Sequence, residues 1–168
     1  LLAVIVILAI LMITAIPAVT NSIAKSRKDT FATNAKNVIN AVRTSMASGD
    51  VKNGSEECSY PADGSAVKIT ITSDALKGLL ERGGDKSSFG RAYNDSYVII
   101  YNKGGDKFDY YIAITDKGGN GVATFTKESA LTGSNIKLGN AGNITGTFKP
   151  DGSENALATS NISTCTVS

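Results

Sequence analysis

The 168 residues allow one domain plus an appendage. With no histidine in the chain, a Ser-His-Asp or Cys-His catalytic device and any His-ligated zinc site are excluded. The formal net charge of +2 is unevenly placed: residues 25–48 carry Lys25, Arg27, Lys28, Lys36 and Arg43 against Asp29 alone, and the chain beyond them is slightly acidic. Paired carboxylates or lysines are left as catalytic means, yet the prior for an enzyme falls. No catalytic residue, metal or cofactor is assigned.

The first element is apolar. From Leu1 to Val19, "LLAVIVILAILMITAIPAV" is interrupted only by Thr14 and Pro17, and no charge precedes Lys25. Such a run makes roughly 30 Å of helix, about the thickness of a hydrocarbon core. It exceeds the roughly 7–15 apolar residues of a cleaved secretory signal. The opening leucine, in place of methionine, predicts a processed or partial chain.

Helical periodicity then continues. Ala24, Phe31, Ala35, Val38, Val42 and Met46 fall within an arc of about 80°, and Lys25, Lys28, Lys36 and Arg43 fill a second arc of similar width. One face is expected to pack on a domain while a basic stripe points elsewhere. Gly49 is a natural stop. The reading is one helix from Leu1 to about Ser48, roughly 70 Å if straight.

Residues 49–65, "GDVKNGSEECSYPADGS", are turn-formers and predict a loop. "AVKITIT" (66–72) alternates like a strand. "SDALKGLLERGG" predicts a short helix capped by Ser73 and ended by Gly83. "SYVIIYN" (96–102), "KFDYYIAIT" (107–115) and "NGVATFTK" (120–127) are β-branched and aromatic, separated by "KGGD" and "DKGG", and predict an antiparallel meander. "TKESALTG" is read as one helical turn. "NITGTFKP" (143–150) and "NISTCTVS" (161–168) are read as shorter edge strands.

An apolar N-terminal helix with a proline inside it, an amphipathic continuation, a loop and then an antiparallel sheet together resemble type IV pilins. The sequence resemblance covers about the first 45 residues, carried by "LLAVIVILAILMITAIP" and by Pro17 at the position where pilins carry a helix-kinking proline. Beyond that only the element order matches. In the family this run follows "FTLIE"; that segment has no counterpart here, so its glutamate and methylated N-terminus transfer to no residue of this chain. The chain is expected to begin downstream of it.

The resemblance implies that Leu1, Leu2, Val4, Ile5, Leu8, Leu11, Met12 and Ile16 anchor the subunit in the membrane and later form the filament core. Pro17 removes one backbone donor and crowds the Ile13 carbonyl, and Thr14 is placed to cap freed groups. A softened segment of this kind lets the helix bend, as in family members whose helix unwinds there in the filament. A tolerated kink is the plainer alternative.

Cys58 and Cys165 are the only cysteines. In an extracytoplasmic protein they read as a disulfide, with two reduced, buried thiols as the alternative. Lys25, Arg27 and Lys28 conflict with that placement by the positive-inside rule, unless a basic leader preceded Leu1. "DKGGNG" (116–121) matches a calcium loop poorly and reads as a hairpin turn. The basic stripe, were it to meet a partner, would suit DNA phosphates, although such stripes are more often solvated or paired with a neighbour's carboxylates.

The expected fold is therefore α+β: a filament-core or membrane helix (1–24), then a head (25–168) comprising amphipathic helix 25–48, loop 49–65 and an antiparallel sheet with C-terminal region 66–168. The expected function is a subunit of a pilus-like filament at the cell surface, single-pass in the membrane before assembly. Its partners by resemblance are further copies of itself, an inner-membrane assembly machinery and the prepilin peptidase. A pseudopilin and a monomeric membrane-anchored binding domain are the rival readings.

Overall fold

A computed structural model describes residues 1–80 and 83–167. Helix α1 runs Leu2–Ser48 without interruption, with Pro17 inside it. Gly49 ends it as expected: with φ 76° it adopts a left-handed conformation, and Asp50 N–H closes back onto the Ser45 carbonyl at 2.9 Å.

The strands are β1 (Lys52–Asn53), β2 (Glu56–Glu57), β3 (Ala66–Ile71), β4 (Ser96–Asn102), β5 (Phe108–Thr115), β6 (Gly121–Lys127) and β7 (Ile162–Val167). They form one sheet in the order β2-β1-β7-β3-β4-β5-β6. The β4-β5-β6 meander is antiparallel, as its sequence predicts.

The fold is α+β, with the C-terminal half of α1 laid on the sheet. Period-two alternation decides which side chains face it. Val67, Ile69 and Ile71 of β3, Val98 and Ile100 of β4, and Ile112 and Ile114 of β5 join Phe31, Ala35, Val38, Ile39 and Val42 of α1 in one fully buried core. The opposite face of the sheet holds a smaller cluster of Ala66, Ile99 and Tyr111 under Phe148. That cluster is roofed by the segment between β6 and β7. Phe148 is wholly buried, with its ring edge-on to Tyr111 at 4.8 Å and to Tyr101 at 5.9 Å.

Four expectations need correction. The 49–65 loop contains a two-rung ribbon, β1 with β2, whose outer member forms one edge of the sheet. The sheet is mixed, because β7 runs parallel to β3 and lies between β1 and β3 instead of at an edge. Residues 143–150 form no strand; their place in the fold is taken by Phe148, which plugs the outer cluster. Helix α2 (Ser73–Leu79) is capped by Thr72, not Ser73: the Thr72 hydroxyl accepts from Ala75 N–H at 3.2 Å. It ends at Leu79, ahead of Gly83, whose left-handed φ of 81° serves the following turn. The parts of the expected helix and last strand at 81–82 and 168 lie outside the described residues. The helical turn in "TKESALTG" is present as a 3₁₀ turn, Glu128–Ala130.

Candidate membrane and assembly interface

Among the described residues, every exposed large hydrophobic side chain except Tyr60 and Leu138 lies between Leu1 and Ile23. Leu1, Leu2, Val4, Ile5, Leu8, Leu11, Met12 and Ile16 are all exposed, and so are Val6, Ile7, Ile10, Ile13, Val19 and Ile23. The apolar surface therefore surrounds the helix and does not follow one stripe. A helix apolar on all sides belongs in lipid or inside a protein assembly. Its length and composition suffice to cross a membrane.

Pro17 sits inside this segment, so the Ile13 carbonyl lacks its usual i+4 donor. Thr14 does not supply one. Its hydroxyl turns the other way, to the carbonyls of Ile10 at 3.2 Å and Leu11 at 3.1 Å, the ordinary back-bond of a helical threonine. Thr20 does the same with Ile16 and Pro17, both at 3.0 Å. The hydroxyls thus saturate carbonyls on either side and leave the proline site as the weak rung.

Contact with the head begins at Ala24, which is half-buried, and is complete at Phe31, which is wholly buried. Phe31 is held between Tyr93, ring centroids 5.7 Å apart, and Phe89 at 6.1 Å. Of the expected packing face, Phe31, Ala35, Val38, Val42 and Met46 are all buried. Ala32, Ile39 and Ser45 are buried too, which widens the buried arc until it overlaps the basic one.

That overlap splits the basic stripe. Arg43 is captured by the head: its guanidinium makes a forked pair with Glu128, one branch at 2.9 Å, and lies 4.1 Å over the Tyr110 ring. The Glu128 hydrogen bond raises its pKa further above the ordinary arginine value. Arg43 is therefore a packing residue and not part of a free stripe. Lys25 is exposed, and Lys28 and Lys36 are half-exposed; none of the three is in an ion pair with a described residue.

At the end of the head nearest the apolar segment, three loops are knotted together. Asp116, almost fully buried, accepts from Ser87 Oγ at 2.5 Å, Gly118 N–H at 2.8 Å, and Asn120 through both its backbone N–H and its side-chain amide at 3.0 Å. Its oxygens serve the turn itself, as the hairpin reading of "DKGGNG" requires. Asn120 Oδ1 in turn accepts from Gly139 N–H at 3.1 Å, and Ser88 Oγ donates to the Arg27 carbonyl at 2.7 Å. Nothing but the polar residues within "DKGGNG" hints at this knot, because its partners Ser87 and Gly139 come from distant turns.

Cys58 and Cys165 are joined by a disulfide, with Cα atoms 6.1 Å apart and a sequence separation of 107. The bond ties β7 to the chain leaving β2. Compared with known proteins, the chain matches no family model, no curated protein and no solved structure.

Proposed function

We propose that this chain is a structural, non-catalytic subunit that polymerises into a filament of the type IV pilus kind. The observation that carries this reading is the division of α1. Its C-terminal half is consumed by the head, while its N-terminal half is apolar on all sides and covered by none of the described residues.

Leaving that surface in water is costly, at about 25 cal/mol for each Å². Two environments remove it from water, and the reading uses both in succession. Lipid holds the subunit before assembly, and the helices of neighbouring copies replace lipid in the fibre. The chain then meets an inner-membrane assembly machinery and a prepilin peptidase, and the head faces outward at the cell surface, a placement supported by the disulfide. The weak rung at Pro17 is where the helix bends between its packed stalk and its head.

Electron microscopy of filaments sheared from the native cell surface, with mass spectrometry of their subunit, tests the reading. Long thin fibres built chiefly of this chain are expected. If the chain stays in the membrane fraction and enters no fibre, the monomeric anchored domain replaces it; if it enters only short secretion-system filaments, the pseudopilin replaces it.

A further inference from the structure

Around the root of the head, the exposed charge is dominated by one sign. Lys25, Arg27 and Lys28 occupy one turn of α1. The loops packed against this turn bring Lys86, Arg91, Lys117 and Lys137, all exposed. Their position is fixed by contacts already described: Ser88 to Arg27, and the Asp116–Asn120 knot uniting the segments 87–94, 116–120 and 137–141. None of these seven cations forms an ion pair with a described residue.

The acids at this end offset them only in part. Asp116 is buried in the knot, Asp74 is paired with Lys77, and Asp95 accepts Ser73 N–H. Asp29 and Asp85 are the other two among the described residues, both exposed. A second feature lies in the same place. Leu138 is 41% exposed and lines a shallow depression with Ala24, Lys25 and Lys28. Apart from Tyr60, it is the one large hydrophobic side chain outside α1 that is exposed among the described residues.

Depth decides what this rim meets. The residues from Leu2 to Ala24 make about 35 Å of helix, which fills a hydrocarbon core of about 30 Å and brings Lys25 out at the headgroups. The loops carrying the other four cations are held beside this turn and the one above it, through Ser88 on Arg27, Phe89 and Tyr93 on Phe31, and the knot that joins 116–120 and 137–141 to them. We infer that the basic rim and Leu138 form a docking surface for anionic lipid headgroups, which seats the head on the bilayer before assembly. The cations face lipid phosphates, and Leu138 enters the interface beside them. The inference rests on the membrane-resident state proposed above.

The absence of tryptophan makes a direct test available. The full chain is placed, one copy per nanodisc, in phosphatidylcholine alone or with about a third phosphatidylglycerol. A Leu138→Trp variant then reports contact through quenching by brominated lipid, and an Ile10→Trp variant reports insertion of the helix. The Ile10 probe is expected to be quenched in both discs. The Leu138 probe is expected to be quenched about twofold more in the anionic disc, an excess lost in high salt. It is also expected to be lost when Lys86, Arg91, Lys117 and Lys137 are all changed to Gln. Equal quenching of the Leu138 probe in the two discs, with the Ile10 probe inserted, overturns the docking surface alone. A Leu138 probe shielded only when several copies share a disc assigns the rim to a neighbouring subunit and also overturns it. An Ile10 probe that is not quenched overturns the membrane reading itself.

Discussion

At Gly133 the head comes close to α1. A Cβ there would lie 2.1 Å from Asp29 Oδ1 and 3.0 Å from the Asp29 backbone nitrogen. The first distance is intolerable, but the carboxylate can swing away; the second is tight, and the backbone must give by a few tenths of an ångström to relieve it. Gly133→Ala is therefore expected to destabilise by about 1–3 kcal/mol, and adding Asp29→Ala should restore only part of the loss, measured by thermal unfolding in detergent. A second residue-scale outcome concerns pH. Burial pushes the phenols of Tyr93, Tyr110 and Tyr111 up from their ordinary value, and the hydrogen bond to Asp151 raises Lys127. Folded pKa values above the unfolded ones mean that the folded chain holds these protons more tightly. The stability they contribute is complete below about pH 10 and drains away as pH rises through the folded values. Tyr93→Phe should cost little at neutral pH, since the Asn34 amide donates to the phenol at a long 3.5 Å, and should flatten the alkaline decline. Urea midpoints between about pH 8 and 11 check both statements.

Among the elements, the roof segment between β6 and β7 has only short 3₁₀ turns, Glu128–Ala130, Gly133–Asn135 and Thr159–Asn161, yet it is firmly held. Phe148 fills the outer cluster, Asp151 N–H donates to Tyr111 Oη at 2.8 Å, and Lys127 bridges Asp109 at 3.4 Å and Asp151 at 3.3 Å. Phe148→Ala should destabilise by about 3–5 kcal/mol and should speed amide exchange in 143–157 before the core strands, as read by hydrogen exchange. This segment shows where sequence reading stops. The meander was legible because alternation and Gly-rich turns are local signals, and α1 was legible because its period and its Gly49 stop are local too. The roof depends on one aromatic side chain meeting Tyr101 and Tyr111 across many intervening residues. Likewise, β7 reads as an edge strand from its own residues, since "ISTCTV" shows a small-residue alternation that does not reveal two neighbours. From the sequence Arg43 belongs to the free stripe, because its partners Glu128 and Tyr110 come from other elements.

For the whole molecule, the disulfide joins the first ribbon of the head to its latest strand. Cross-linking a loop of about 100 residues stabilises by up to about 4–5 kcal/mol on the chain-entropy estimate, and by about 2–5 where native bonds have been removed. Reduction, or Cys58→Ser with Cys165→Ser, is expected to lower the unfolding midpoint markedly and to expose β7 first, seen as faster amide exchange at 162–167. The exposed half of α1 was readable from composition alone. The basic rim at the root of the head was not, because four of its cations come from three loops that only the folded head brings together.

The place of β7 also sets a schedule for biogenesis. The strand that completes the interior of the sheet is made after all the other described strands, so a nascent head carries an open slot between β1 and β3 until its last residues are made. Both flanks of that slot offer unpaired backbone groups, which invite the wrong strand from another chain. A chain arrested before Ile162 would have neither its interior strand nor a partner for Cys58. It would present a free thiol beside an open sheet, an aggregation-prone form that the complete chain avoids.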